Sequence, residues 1–238
     1  NSSVLPLRIL TANFLLDYNA HVLAEKLLLE EMQQSEPSEH LYLAFSTLYI
    51  KRQDYVRAED NVKCALQIKY KNPTAWLQSA IIHYEQHRYA EAEQAFETSL
   101  SLSGEASDAT IYLRLGNVYM NLQKFKEARR AYKNAVKLWP SGTSYLGLGK
   151  AYIKLNKMKN AEMALNEANI QNNLNPEIWA NLGLVCCMTN RLEECEKCMR
   201  ECSRLRYSNN EILQELQALY MQKQKPLEWK VIANMFNM

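Results

Sequence analysis

Glycine and proline are scarce in this chain, six of each among 238 residues. So few turn formers exclude a fold of many short strands and tight hairpins, and favour long helices joined by brief connections. Long apolar runs are missing as well. No window approaches eighteen uninterrupted apolar residues, so no membrane-spanning helix and no membrane partner are expected. The amino end lacks the basic-then-apolar order of a secretory signal. A start at Asn1 instead of a methionine leads us to expect a piece of a longer protein. No serine, histidine and acid combination stands out for nucleophilic catalysis, and no small-molecule substrate is indicated. What is plentiful is apolar content, 47% of the chain, enough to bury the core of one elongated domain or two compact ones.

That content is periodic. "NPTAWLQSAIIHYEQHRYAEAEQAFETSL" and "NPEIWANLGLVCCMTNRLEECEKCMRECS" open identically and share one apolar rhythm, which "TIYLRLGNVYMNLQKFKEARRAYKNAVKLWP" and "TSYLGLGKAYIKLNKMKNAEMALNEA" repeat between them. A marker residue recurs as Arg8, Tyr42, Trp76, Tyr112, Tyr145, Trp179 and Leu213, at intervals of 33 to 36 residues. Numbering that marker as position 4, small residues recur at position 8 (Ala12, Ser46, Ala80, Gly116, Gly149, Gly183) and position 20 (Ala24, Ala58, Ala92, Ala128, Ala161, Cys195). Position 27 reads Glu31, Ala65, Ser99, Ala135, Ala168 and Cys202. Two antiparallel helices approach closely only where side chains are small, and no such pair buries its apolar face alone, so the pairs must stack.

This pattern resembles the tetratricopeptide repeat (TPR), a helix–turn–helix unit of 34 residues. The resemblance implies an all-α solenoid of antiparallel helix pairs in a right-handed superhelix. It divides the chain into repeats at about 5–38, 39–72, 73–108, 109–141, 142–175 and 176–209, with a capping helical pair over 210–238, as a single array. Asn72-Pro73 and Asn175-Pro176 read as helix-capping pairs. The first repeat is degenerate at Arg8. "KPLEWKVIANMF", with Trp229 where a small residue belongs, reads as a variant helix covering the last apolar face, and the notable insertion is two residues in "SLSGEASDAT".

Five of the six cysteines lie between Cys186 and Cys202, and Cys195-x-x-Cys198 has the spacing of zinc ligands and dithiols. The repeat supplies another account. Cys195 and Cys202 stand at small-residue positions, Cys198 at a position held elsewhere by Ala95, Ala131 and Ala164, and Cys186 at position 11, so packing as small hydrophobes is expected rather than a metal or redox site. Reduced thiols then imply an intracellular compartment. "HYEQH" sets His83 and His87 four apart, but His83 falls at a core position; "GLGKAY" lacks the third glycine and preceding strand of a phosphate loop. No cofactor and no metal are expected.

In TPR arrays the first helices line a concave face, and here positions 5 and 12 are apolar. Leu43, Ile50, Leu77, Tyr84, Leu113, Met120, Leu146 and Ile153 are the candidate partner groove. The same residues can instead pack between neighbouring first helices. Family members that hold chaperone carboxylates use Lys and Asn at set positions, of which Asn117 and Arg114 are isolated fragments; the asparagine ladder of the sugar-transferring members is represented by Asn181 alone. Charge is concentrated too. Residues 110–160 hold eleven Lys and Arg against Glu127, a net of +10. Lys126, Arg130, Lys133 and Lys137 recur at helical spacing, and with Lys150 and Lys154 they form a candidate basic patch that would steer an acidic partner. No base-reading module accompanies it, so nucleic acid is not expected. A narrower resemblance, to the C-terminal TPR arrays of an axonemal component of cilia and flagella, implies a non-catalytic scaffold in the cytoskeleton of the motile cilium. Axonemal proteins or acidic tubulin tails are then the partners to expect. A general cytosolic adaptor binding a helix or peptide is the alternative, and a metal- or redox-active protein using the cysteines is a further one.

Overall fold

The chain is seen in a computed structural model that describes residues 6–104, 108–207, 210–223 and 225–236. Every regular element among them is an α-helix. They follow in pairs: α1 (Leu7–Asp17) and α2 (His21–Gln34), α3 (Glu39–Lys51) and α4 (Tyr55–Ile68), α5 (Pro73–Glu85) and α6 (Tyr89–Ser103), α7 (Ala109–Asn121) and α8 (Phe125–Leu138). Then come α9 (Gly142–Lys154) and α10 (Met158–Gln171), α11 (Pro176–Met188) and α12 (Leu192–Arg204), and α13 (Asn210–Gln222) and α14 (Pro226–Met235). Two compact units result, Asn1–Ser107 with α1–α6 and Asp108–Met238 with α7–α14. The stretch "SLSGEASDAT", which carries the two-residue insertion, includes residues 105–107, which lie outside the described residues.

Local chemistry sets the helix starts. Asn72 Oδ1 accepts from the amides of Thr74 (2.9 Å) and Ala75 (3.3 Å), and Asn175 Oδ1 from Glu177 (2.9 Å), each ahead of a proline in the first turn. Ser38, Asp54, Asp108 and Ser141 cap four further helices in the same way. The turns inside the first six pairs share one device. Asn19, Gln53, His87, Gln123, Asn156 and Asn190 all take φ between 55° and 66°. After each, the next amide reaches back five residues, as from Lys124 to the Tyr119 carbonyl at 2.8 Å. This is a left-handed helix stop, and here none of the six is glycine.

The small positions of the repeat are closed contacts. All six residues at position 20, from Ala24 to Cys195, are 0% exposed. In the second unit the Tyr132 ring is wedged between two glycines: a Cβ added at Gly116 would meet Tyr132 Cε1 at 2.6 Å, and one at Gly147 would come closer still. Tyr132 Oη donates to Asn117 Oδ1 at 2.6 Å, which fixes the ring. Gly147, the first glycine of "GLGKAY", is a helix-interior residue of α9 receiving a side chain from the preceding repeat.

The first unit opens on the degenerate repeat. Arg8 and the buried Glu31 sit where an aromatic and a small residue are usual, and they pair at 3.5 Å. Leu7, Leu10 and Phe14 of α1 are exposed, whereas Leu41, Ala44 and Leu48, their equivalents one repeat later, are buried. At the other end α14 caps the second unit. Trp229 and Ile232 are buried, the Trp229 ring lies 6.1 Å from that of Tyr220, and Ser203 Oγ donates to the Met235 carbonyl at 2.6 Å.

Candidate partner-binding site

Positions 5 and 12 are two helical turns apart and share a face. In the first unit this face borders a hollow of about 410 Å³ whose lining includes Ile9, His40, Leu43, Thr47 and Gln78. Gln78 Nε2 donates to Thr47 Oγ1 (2.9 Å) and to the Leu43 carbonyl (3.2 Å), locking α5 to α3. The buried Glu39 takes Lys69 at 3.0 Å and faces His40 at 3.6 Å on the rim. The second unit has its own hollow over the first helices, about 100 Å³, where Met120, Ile153, Leu184 and Ile212 meet Lys150, Lys154, Glu177 and Glu215.

The eight groove candidates are thus split in character. Leu43, Leu146 and Ile153 are only 7, 6 and 4% exposed, while Ile50, Leu77, Tyr84, Leu113 and Met120 are half-buried. Leu43, Met120 and Ile153 line the hollows. Ile50 packs against the cluster of Ala58, Val62 and Ile82, and Tyr84 meets Tyr89 edge-on at 5.7 Å. Leu77 and Leu113 are left as half-buried leucines at position 5, one in each unit.

The basic candidates also part company. Lys126, Arg130, Lys133 and Lys137 stand exposed along α8, without an ion pair among the described residues. Lys150 and Lys154 belong instead to the first-helix hollow and are paired, Lys150 with Glu177 at 2.7 Å and Lys154 with Glu215 at 3.2 Å. Glu215 lies 61 residues from Lys154, so no local sequence signal joins them. The free stripe is therefore confined to α8.

A second series of charges went unread in the sequence, although its period could have revealed it. Glu25, Glu59 and Glu162 recur at position 21, and each takes an arginine from the turn before the next second helix: Arg52 at 2.7 Å, Arg88 at 2.7 Å and Arg191 at 2.8 Å. Burial pushes the Glu59 carboxyl up, but hydrogen bonds from Arg88 and Lys63 outweigh it and hold the group below the usual carboxylate value.

The cysteines meet in pairs. Cys186 lies against Cys198, and Cys187 against Cys195, which also reaches Tyr220. Hydrogen bonding to Cys186, then burial, pushes the Cys198 thiol up; the bond to Cys187, then burial, does the same for Cys195. Cys202, raised to about 12 by burial, donates its thiol to the Pro176 carbonyl at 3.4 Å. Ser99 makes the matching bond to the Pro73 carbonyl at 2.8 Å, so this cysteine does a packing and tethering task that another repeat assigns to serine. Among the described residues no three His, Cys, Asp or Glu side chains converge as metal ligands. His83 contacts Ser79 Oγ at 3.3 Å, and His87 contacts Tyr89 Oη at 2.9 Å, so the two histidines serve different partners.

The geometry of stacked helix pairs is matched by comparison with known proteins. The family described as the cilia and flagella-associated protein 70 C-terminal domain matches residues 20–231. The chain belongs to that family. Cilia- and flagella-associated protein 70 from Homo sapiens is 32% identical over 212 residues, which is 88% of this chain and 19% of the relative. The Macaca fascicularis protein of the same name is 37% identical over 128 residues, 53% of this chain and 13% of the relative. The chain therefore spans less than a fifth of the length of these relatives. Among solved structures, YrrB, described as a TPR protein with an unusual peptide-binding site, matches with a TM-score of 0.68 at 16% identity, over 83% of this chain and 97% of that one. The anaphase-promoting complex hetero-tetramer Cut9-Hcn1 matches with a TM-score of 0.70 at 15% identity, over 99% of this chain and 47% of that one. At such identities the likeness establishes the TPR fold alone. This cilia- and flagella-associated family is thereby of TPR type. No described helix is long and apolar enough to cross a membrane.

Proposed function

We propose that the chain is a non-catalytic protein-interaction scaffold of the ciliary or flagellar axoneme, and that it holds axonemal protein partners on the faces of its first helices. The observation that carries this reading is the family match over residues 20–231, together with relatives named for cilia and flagella. Half-buried Leu77 and Leu113 supply apolar contact area, each contributing roughly 1.5–3 kcal/mol when fully covered by a partner. The exposed stripe on α8 adds long-range attraction for acidic segments such as tubulin tails. Immobilised protein should retain a defined set of proteins from extracts of ciliated cells that is missing when matched non-ciliated cells are used. The same set retained from both would favour the second reading, a general adaptor for a helix or peptide. That alternative is supported by the likeness to YrrB, whose description includes a peptide-binding site.

A further inference from the structure

The charge series at position 21 has one inverted member. The residue there is acidic in five of the six TPR units, Glu25, Glu59, Glu93, Glu162 and Glu196. In the fourth it is Arg129. The slot that Arg88 and Arg191 fill, just before a second helix, is held at this junction by Lys157, directly ahead of α10. Three other junctions place one carboxylate against one cation, Glu25 with Arg52, Glu59 with Arg88 and Glu162 with Arg191, whereas here the two matching positions both hold cations.

The side chains bear the marks of a missing partner. Arg129 is half-buried; its Nε is wholly covered and has no hydrogen-bond partner among the described residues. By contrast, Arg191, in the following junction, grips Glu162 with two nitrogens at 2.8 and 2.9 Å. Lys157 is exposed and makes no ion pair among the described residues. Beside Arg129 on α8 run the exposed Lys126, Arg130 and Lys133.

We propose that the α8–α10 junction docks a carboxylate-rich polypeptide segment of a partner, one of whose Glu or Asp side chains occupies the place that the protein's own glutamate fills at other junctions. The proposal rests on the scaffold reading above and names the chemistry of one partner. A carboxylate is favoured over a nucleic-acid phosphate because the equivalent slots are each built around a single glutamate head group met by an arginine, which in the Glu162–Arg191 pair forms a two-nitrogen fork. The flanking lysines and arginine then supply steering toward further acids along the same segment.

The probe is a fluorescent peptide of ten glutamates, followed by anisotropy at low and physiological salt, with a single-stranded DNA decamer as the competing class. Arg129→Glu should weaken peptide binding by about tenfold or more. It should also raise the thermal midpoint, because it rebuilds an internal pair with Lys157. Lys157→Glu, at an exposed position that does not threaten folding, should do both as well, by pairing with Arg129. Unchanged peptide affinity in both variants would overturn the proposal, as would a lowered midpoint in both, or tighter binding of the DNA than of the peptide. Such a failure is separable from failure of the scaffold reading: capture from ciliated-cell extract would persist if only this site is wrong, and would lack ciliary selectivity if the scaffold reading is.

Discussion

Tyr132 touches two glycines that the repeat pattern treats differently. Gly116 stands at position 8, where smallness follows from the approach of a repeat's two helices. Gly147 stands at position 6 of the next repeat, where the pattern asks for nothing, and only the ring arriving from α8 explains it. Gly147→Ala brings about 1 kcal/mol of helix propensity. Against that stands overpacking of about 1–3 kcal/mol, since Tyr132 is held by its bond to Asn117 and cannot retreat. We expect a net loss of up to about 2 kcal/mol in denaturant unfolding. At Gly183 the added methyl meets the flexible end of Met199, so Gly183→Ala should be neutral within about 0.5 kcal/mol or slightly stabilising. Equal losses at both sites would contradict the wedge. Arg8 and Glu31 teach the same lesson. Each alone reads as decay of the first repeat, and together they are an ion pair.

At the scale of the helix, two starts were legible, because caps are local chemistry. Asn72 and Asn175 announce themselves by the proline that follows. The helix stops were not. Few glycines suggested few tight turns, yet a left-handed residue closes the first helix of each of the first six pairs, supplied by Asn, Gln or His. Contacts across the turn hold these residues where glycine would sit without strain, and that demand leaves no fixed residue type to read. α5 offers a pH test. Burial, and after it the nearby Arg88, depresses the His83 pKa below its ordinary 6.5. On acidification the unfolded chain therefore takes up its proton before the folded one does, so stability should fall as pH drops from 7 through 6.5 and below. His83→Gln should flatten that part of the profile of denaturant midpoint against pH. An equally steep fall in the variant would place the titrating group elsewhere.

For the molecule as a whole, the period of 33 to 36 residues carried the fold class, because each repeat must present the same small and large residues to its neighbours. The charged part of the candidate site was less legible. Net charge along the sequence joined Lys150 and Lys154 to the α8 stripe, but helix pairing turned them toward Glu177 and Glu215. The inversion at Arg129 is visible in the period of position 21, but the ion pairs of other repeats are what give it meaning. We propose that partners are held by the first-helix faces rather than by the stack's interior. The most direct test substitutes Leu77→Asp in one unit and Leu113→Asp in the other, then measures far-ultraviolet circular dichroism and capture of the protein set retained from ciliated-cell extract. We expect a helical signal near that of the wild type, with capture weakened by about tenfold or more for each variant. Undiminished capture, or collapse of the helical signal, would contradict it.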